Sequence, residues 1–133
     1  MDSATDQIKS AKDLRVYKSA YTLSMEIFTL SKHWPAEEKF SLTDQIRRSS
    51  RSVCANLREA WAWAKRRYPA HFLSKLTDAD GENSETGTWL DFALNCGYIQ
   101  KMEQEHLSNE CIHIGSMIGK MIRNPDPFIV KQK

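Results

Sequence analysis

Four basic residues are spaced so that they would share one side of a helix. They follow one another at intervals of four, seven and seven residues, as Arg47, Arg51, Arg58 and Lys65. At about 100° per residue, these positions fall within a stripe roughly 40° wide. Arginine stays charged and offers paired N–H donors to phosphate oxygens, so this basic stripe predicts nucleic-acid binding. Arg48, Arg66 and Arg67 lie in the same segment and complete the predicted binding set.

Aromatic residues near the end of this segment are predicted to stack on bases or to lie at a subunit interface. They are Trp61, Trp63 and Tyr68, with Trp89 further along the chain. Stacking on aromatic rings is common in single-strand binding, and Trp and Tyr are also enriched at protein interfaces. The residue types leave both alternatives open.

Two Glu-x-x-His motifs, at Glu103–His106 and Glu110–His113, resemble part of a di-iron ligand set. Di-iron bundles take such motifs from two different helices, whereas both copies here fall on one predicted helix. We therefore expect Glu–His pairs within that helix, including one between His106 and Glu110, and no metal site.

Nothing in the sequence indicates catalysis. Cys54, Cys96 and Cys111 lack the Cys-x-x-Cys spacing of metal or redox sites, and we expect all three to be reduced and buried. Cys54, His71 and Ser74 form no recognisable triad, and no glycine-rich phosphate loop is present. We therefore predict a protein that is not an enzyme and has no cofactor.

The distribution of charge supplies the main alternative to ligand binding. The chain has 133 residues and a net charge of only +2, but residues 46–67 contain seven Lys or Arg and one acid. Residues 77–100 contain five acids and no Lys or Arg. A basic second helix paired with an acidic third helix, through Asp78, Glu82, Glu85 and Asp91, would make a structural or protein-interaction module without nucleic-acid binding.

Hydrophobic periodicity predicts an all-α fold, with four long helices in an antiparallel up-down-up-down bundle of left-handed twist. The first helix begins near Asp13 and ends before Pro35, with Tyr17, Tyr21 and Phe28 widening its buried face. The second starts at Ala36 or nearer Ser41 and is continuous over residues 42–67. Its predicted buried face contains Leu42, Ile46, Ser49, Val53, Leu57, Ala60 and Ala64.

Two signals conflict over the extent of the third helix, because the propensities of residues 80–88 favour a loop. The apolar stripe nevertheless keeps its phase across them, which favours one helix ending at a Cys96-Gly97 cap. The fourth runs over about 99–123. We predict a disordered N-terminal arm at 1–12, the bundle at 13–123, and an extended or disordered tail at 124–133. Without a signal peptide or a bilayer-spanning run, the expected location is the cytoplasm.

These segments resemble the four-helix-bundle proteins encoded in the intervening sequences of bacterial 23S rRNA genes. The likeness covers about residues 13–122 and is carried by four motifs: Asp13-Leu14-Arg15-Val16-Tyr17-Lys18, Gln45-Ile46-Arg47-Arg48 with Asn56-Leu57-Arg58-Glu59, Phe72-Leu73 with Glu85-Thr86, and Gly97-Tyr98-Ile99. The sequence departs from the family where a glycine-bearing helix end is replaced by Ala60-Trp61-Ala62-Trp63.

The resemblance implies fold and assembly more than activity. Members associate into homopentameric rings. A related branch partners a reverse transcriptase and binds nucleic acid, as the accessory protein of diversity-generating retroelements. We therefore expect self-association, with RNA, DNA or a nucleic-acid enzyme as a further partner and no membrane association.

Overall fold

The structure, a computed structural model, describes residues 8–131 and contains no strand within that range. Four long helices pack around one core, as α1 (Arg15–Ser31), α2 (Asp44–Trp61), α4 (Pro69–Asn95) and α5 (Lys101–Arg123). A short helix, α3 (Trp63–Arg67), lies between α2 and α4. The all-α prediction is confirmed. None of the helices in the described residues is long and apolar enough to cross a membrane.

Short turns and one glycine cap mark the ends of the long helices. The segment between α1 and α2 is a 3-10 turn (Ala36–Glu38) followed by a π-helical turn (Lys39–Thr43). Asp13, near which the first helix was predicted to begin, lies in a 3-10 turn, and Leu14 holds the N-cap position of α1. Gly97 has a φ of 81° after α4, and the Tyr98 N–H donates to the Ala93 carbonyl. This is the left-handed glycine cap that the sequence predicted.

The continuous α4 resolves the ambiguity over residues 80–88 in favour of helix. Its buried residues are Phe72, Leu76, Ala79, Asn83, Thr86, Leu90 and Ala93, the stripe that keeps its phase through the glycines. The buried side chains of α5 also recur at intervals of three and four residues, as Leu107, Cys111, Ile114, Ile118 and Met121. Burial of a periodic face therefore outweighs the poor helix propensity of this segment.

A layer of buried polar side chains connects the four long helices. The Ser24 and Ser50 hydroxyl oxygens, on α1 and α2, lie 3.2 Å apart, and those of Ser49 and Thr86, on α2 and α4, lie 2.8 Å apart. Asn83 then donates from Nδ2 to the Cys111 carbonyl on α5, at 2.8 Å. The small polar residues of α2 thus allow a close, hydrogen-bonded approach of its neighbours.

The prediction of a single helix over residues 42–67 is wrong at Ala62. The backbone there is extended (ψ 138°), which ends α2 and starts α3 in a new direction. Trp61 is buried against Phe128, with the ring centroids 6.1 Å apart, whereas Ala64 is exposed instead of buried. Tertiary packing of one large indole therefore overrides helix formers on both sides of the break.

The C-terminal segment differs from the extended or disordered tail that was predicted. Asp126–Phe128 form a 3-10 turn, the Phe128 and Phe72 ring centroids lie 6.2 Å apart, and the Val130 N–H donates to the Arg66 carbonyl at 3.0 Å. At the other end, Ala11 is buried in the core, and residues 1–7 of the predicted arm lie outside the described residues. The division of the chain at 13 and 123 stays a prediction.

Candidate nucleic-acid interface on helix α2

Three cations gather at the ring of Phe28, which α1 contributes near its C-terminal end. The ring centroid lies 4.8 Å from Arg47 Cζ, 5.7 Å from Arg51 Cζ and 4.9 Å from Lys32 Nζ. Within residues 8–131, none of the three forms an ion pair with a carboxylate. Attraction to the face of the ring offsets part of their mutual repulsion, and a net positive cluster remains.

Arg47 is fixed in place by the end of α1. Its Nε donates to Ser31 Oγ at 2.8 Å, and its Nη2 donates to the Phe28 carbonyl at 3.4 Å. That carbonyl lies in the last turn of α1, where it also accepts a hydrogen bond from Ser31 Oγ at 3.2 Å. Two of the five guanidinium N–H donors are therefore used structurally, and three remain for a ligand.

Arg48 has a different role, because it pairs with acidic residues of α4. Nη1 donates to Glu82 at 2.8 Å, and Nη2 donates to Glu85. The bond to Glu85 is the main reason that the pKa of Arg48 is raised, and the same bond lowers the pKa of Glu85. This residue was predicted to bind nucleic acid, but its charge is neutralised within the subunit.

The remaining basic residues divide at the Ala62 break. Arg58 is exposed on α2, and in the described part of the chain it contacts no carboxylate. Lys65 lies on α3, so the stripe predicted from one uninterrupted helix is shortened to Arg47, Arg51 and Arg58, here called the α2 row. At about 1.5 Å per residue, the α2 row extends roughly 16 Å along the helix.

The acidic residues near α2 are mostly engaged elsewhere. Lys75 contacts Glu59 at 2.9 Å and Asp78 at 3.8 Å, and Asp91 accepts a hydrogen bond from Gln104. Asp44 lines the same shallow groove as Arg47, Arg48 and Arg51, at the N-terminal end of α2. Pairing of the basic and acidic helices is thus limited to Arg48 among the predicted binding residues that the structure describes.

The predicted aromatic residues are in different environments. Trp61 is only 7% exposed, which is incompatible with stacking on a base, while Trp63 is 56% exposed. Tyr68 is also exposed and packs against His71, with ring centroids 5.6 Å apart. Trp89 is half-buried and donates from Nε1 to Glu85 at 3.2 Å. Of these four residues, only Trp63 and Tyr68 therefore offer open aromatic surface.

Arg66 and Arg67 each lie over one of the tryptophans near α3. Cζ of Arg66 is 4.1 Å from the Trp61 ring centroid, and its Nε donates to the Trp61 carbonyl at 2.8 Å. Burial lowers the pKa of Arg66. Cζ of Arg67 lies 5.0 Å from the exposed ring of Trp63. Arg66 therefore packs on the buried Trp61, whereas Arg67 lies beside the exposed ring of Trp63.

His106, from the first Glu-x-x-His motif, faces α1. His106 Nε2 lies 2.8 Å from Glu26 Oε2 on α1, so the expected pairing of His106 within α5 is wrong. No cluster of three potential metal ligands occurs in residues 8–131.

The three cysteines are free, and Cys96 is exposed, contrary to the prediction that all are buried. Burial raises the pKa of the Cys54 thiol to about 11 and that of Cys111 to about 12. Because the thiolate is the nucleophile, these two side chains are unreactive near neutral pH.

Sequence reasoning missed Phe28 and Lys32 as parts of the basic surface. Phe28 was assigned to the buried face of α1, but it is half-buried and its ring faces the cations of α2. The pair lies four residues apart at the end of a helix, which places both on one side. That spacing was readable, although the neighbour they face depends on how α1 and α2 pack.

With this geometry in hand, two comparisons place the chain among known proteins. A family model described as 23S rRNA-intervening sequence protein matches residues 12–120. The chain belongs to this family. No curated protein matches the sequence.

A solved structure supports the same family assignment. It is the crystal structure of a protein of unknown function from the S23 ribosomal protein family of Bacteroides thetaiotaomicron VPI-5482. The two are 30% identical, with a TM-score of 0.72, over 82% of this chain and 96% of that one. The comparisons therefore establish fold and family, and the family has no assigned activity from which a function could be transferred.

Proposed function

We propose that this protein is a non-catalytic, cytoplasmic homo-oligomer that binds nucleic acid through the α2 row. The four long helices would form an antiparallel bundle of left-handed twist, with one α2 row on each subunit. The observation that supports binding most directly is that Arg51 and Arg58 are exposed cations without a carboxylate partner in the described residues, although acidic α4 packs against the same helix.

Electrostatics explains why this arrangement favours a polyanion. Arg48 already uses Glu82 and Glu85, so those carboxylates are not available to the row. Unpaired cations in a line gain contacts when phosphates replace water and bound counterions are released. Arg47 adds a guanidinium whose position is fixed before binding, which reduces the entropy lost on association.

Self-association is the second part of the proposal, with a pentamer implied by the family resemblance. An apolar groove between α1 and α5 supports it, because exposed Tyr21 and Met25 line it together with Leu30. Tyr21 was expected to be buried within the subunit. Exposed apolar surface of this kind marks interaction sites. In a closed ring the α2 row would recur on every subunit, which strengthens the field that a polyanion meets.

Fluorescence anisotropy with labelled single-stranded and duplex RNA and DNA tests the proposal. At low salt the wild type should bind, and an Arg51→Ala/Arg58→Ala variant should bind much more weakly. The matched control is Arg15→Ala/Arg123→Ala, which removes the same charge from exposed sites on α1 and α5. Equal affinities for the two double variants, or no wild-type binding at low salt, would refute it.

The pairing of Arg48 with α4 favours one alternative, a structural or protein-interaction module with no nucleic-acid role. Such a module would not bind polyanions, and its assembly would not depend on them. If charge pairing also held the subunits together, size-exclusion chromatography with light scattering would show dissociation at high salt. A reverse transcriptase or another nucleic-acid enzyme is the partner that the family resemblance suggests for either function.

A further inference from the structure

The short helix α3 presents an exposed indole beside a concentration of positive charge. Trp63 is 56% exposed, and Arg67 lies 5.0 Å from its ring centroid, one helical turn further along. Lys65, Arg66 and Arg67 are consecutive, and no ion pair to any of them occurs within the described residues. An exposed aromatic ring in a cationic setting has the two properties that single-strand binding surfaces combine.

The break at Ala62 sets the position of this exposed ring. Its extended ψ of 138° lets Trp61 turn into the core while Trp63 begins a separate helix facing solvent. In an uninterrupted helix the residues that follow would have continued the direction of α2. At about 100° per residue, Trp61 and Trp63 would point to opposite sides even of one continuous helix, so the break changes where the exposed Trp63 lies relative to α2.

Contacts with neighbouring residues hold α3 in place, so the exposed ring of Trp63 has a fixed position. Arg66 donates to the Trp61 carbonyl and lies over the Trp61 ring, which in turn contacts Phe128. The C-terminal segment adds a backbone hydrogen bond from Val130 to the Arg66 carbonyl. A five-residue helix would not hold alone in water, and these contacts give it tertiary support.

The nearest acidic side chain along the sequence does not cancel the charge. Glu59 is paired with Lys75, at 2.9 Å, on the side where α4 packs. A protein partner would need to supply its own carboxylates and an apolar contact for Trp63. A nucleic-acid strand carries a phosphate and an unsaturated ring in every nucleotide, so it matches both features at once.

We propose that Trp63 is a stacking site for an unpaired base and that Arg67 and Lys65 contact the adjoining phosphates. The inference rests on the proposed function and adds strand selectivity to it: α2 holds the backbone of either form, while Trp63 favours single strands. Bases in a duplex are already stacked on their neighbours, so only an unpaired base can lie against the ring.

The test compares single-stranded and duplex forms of one sequence by anisotropy. Trp63→Ala should lose about fivefold to about 150-fold in affinity for the single strand, the range expected for one base–aromatic stack. Its duplex affinity should stay that of the wild type. Trp63→Phe keeps a ring and should retain single-strand binding, while the change in tryptophan emission on binding is lost.

Phe40→Ala is the matched control, because Phe40 is also an exposed ring, 75% accessible, with Lys39 Nζ 5.4 Å from its centroid. It should leave both affinities unchanged. Single-strand affinity of Trp63→Ala equal to wild type overturns the stacking site, even if Arg51→Ala/Arg58→Ala still abolishes binding. A wild type that binds neither form overturns this inference together with the proposed function.

Discussion

Arg48 and Arg51 are neighbouring exposed arginines on α2 with opposite expected roles, and replacing each by alanine separates structure from binding. Arg48 pairs with Glu82 and Glu85, whose side chains are 23% and 31% exposed, while that of Arg48 is 48% exposed. Exposed pairs of this kind are worth about 0.2–1 kcal/mol each after solvent screening. Arg51 lies over Phe28 and contacts no acid in the described residues.

A double-mutant cycle by urea unfolding measures the first role. Arg48→Ala and Glu85→Gln should couple by about 0.2–1 kcal/mol, whereas Arg51→Ala and Glu85→Gln should be additive. The folded pKa of Glu85 is lowered from its ordinary 4.5, mainly by the bond from Arg48. The coupling should therefore be present above pH 4.5 and be lost as the pH falls through the folded pKa.

The salt dependence of nucleic-acid affinity measures the second role. The slope of log K against log salt is negative, and losing one phosphate contact to a single strand should reduce its magnitude by about 0.7. Arg51→Ala should show that decrease, and Arg48→Ala should keep the wild-type slope. An equal decrease in both variants, or coupling of Arg51 to Glu85, would contradict the division of roles on this helix.

Three further predictions concern stability and thiol reactivity. The hydrogen bond to Glu38 is the main cause that raises the pKa of Tyr98 to about 12, so its contribution to the free energy of unfolding should be complete between pH 4.5, above which Glu38 is ionised, and pH 10, and lost as the pH rises through 12. Tyrosinate absorbance during alkaline titration, compared with Tyr98→Phe, checks this. Gly97→Ala forces a side chain into the left-handed region and should lower the free energy of unfolding by about 1–2 kcal/mol, measured in urea. A thiol reagent should label Cys96 rapidly in the native protein and the other two cysteines only after unfolding; rapid labelling of all three would contradict their burial.

The long helices were predictable because a helix that packs on a core buries an apolar residue at every third or fourth position. The stripe from Phe72 to Ala93 kept its phase through Gly81 and Gly87, and the structure confirms one helix there. The break at Ala62 was not predictable in this way. Alanine and tryptophan give no local stop signal, and the contact that decides the matter joins Trp61 to Phe128, far away in sequence.

The candidate site was partly readable for a related reason. Periodicity gives the angle of each side chain about its own helix, so Arg47 and Arg51 were correctly placed together. It does not give the rotation of that helix against its neighbours. Arg48 was therefore grouped with the binding residues although it faces α4, and Phe28 was missed although it faces α2.

The polar layer across the four long helices has a consequence for alignment. A slide of one helix by a single turn, about 5.4 Å, would still match apolar residues to apolar residues. It would also break the hydrogen bonds that join Ser24 to Ser50, Ser49 to Thr86 and Asn83 to α5, each worth about 0.5–1.5 kcal/mol. These few polar contacts therefore fix the axial alignment of the helices, which the apolar core alone would define less strictly.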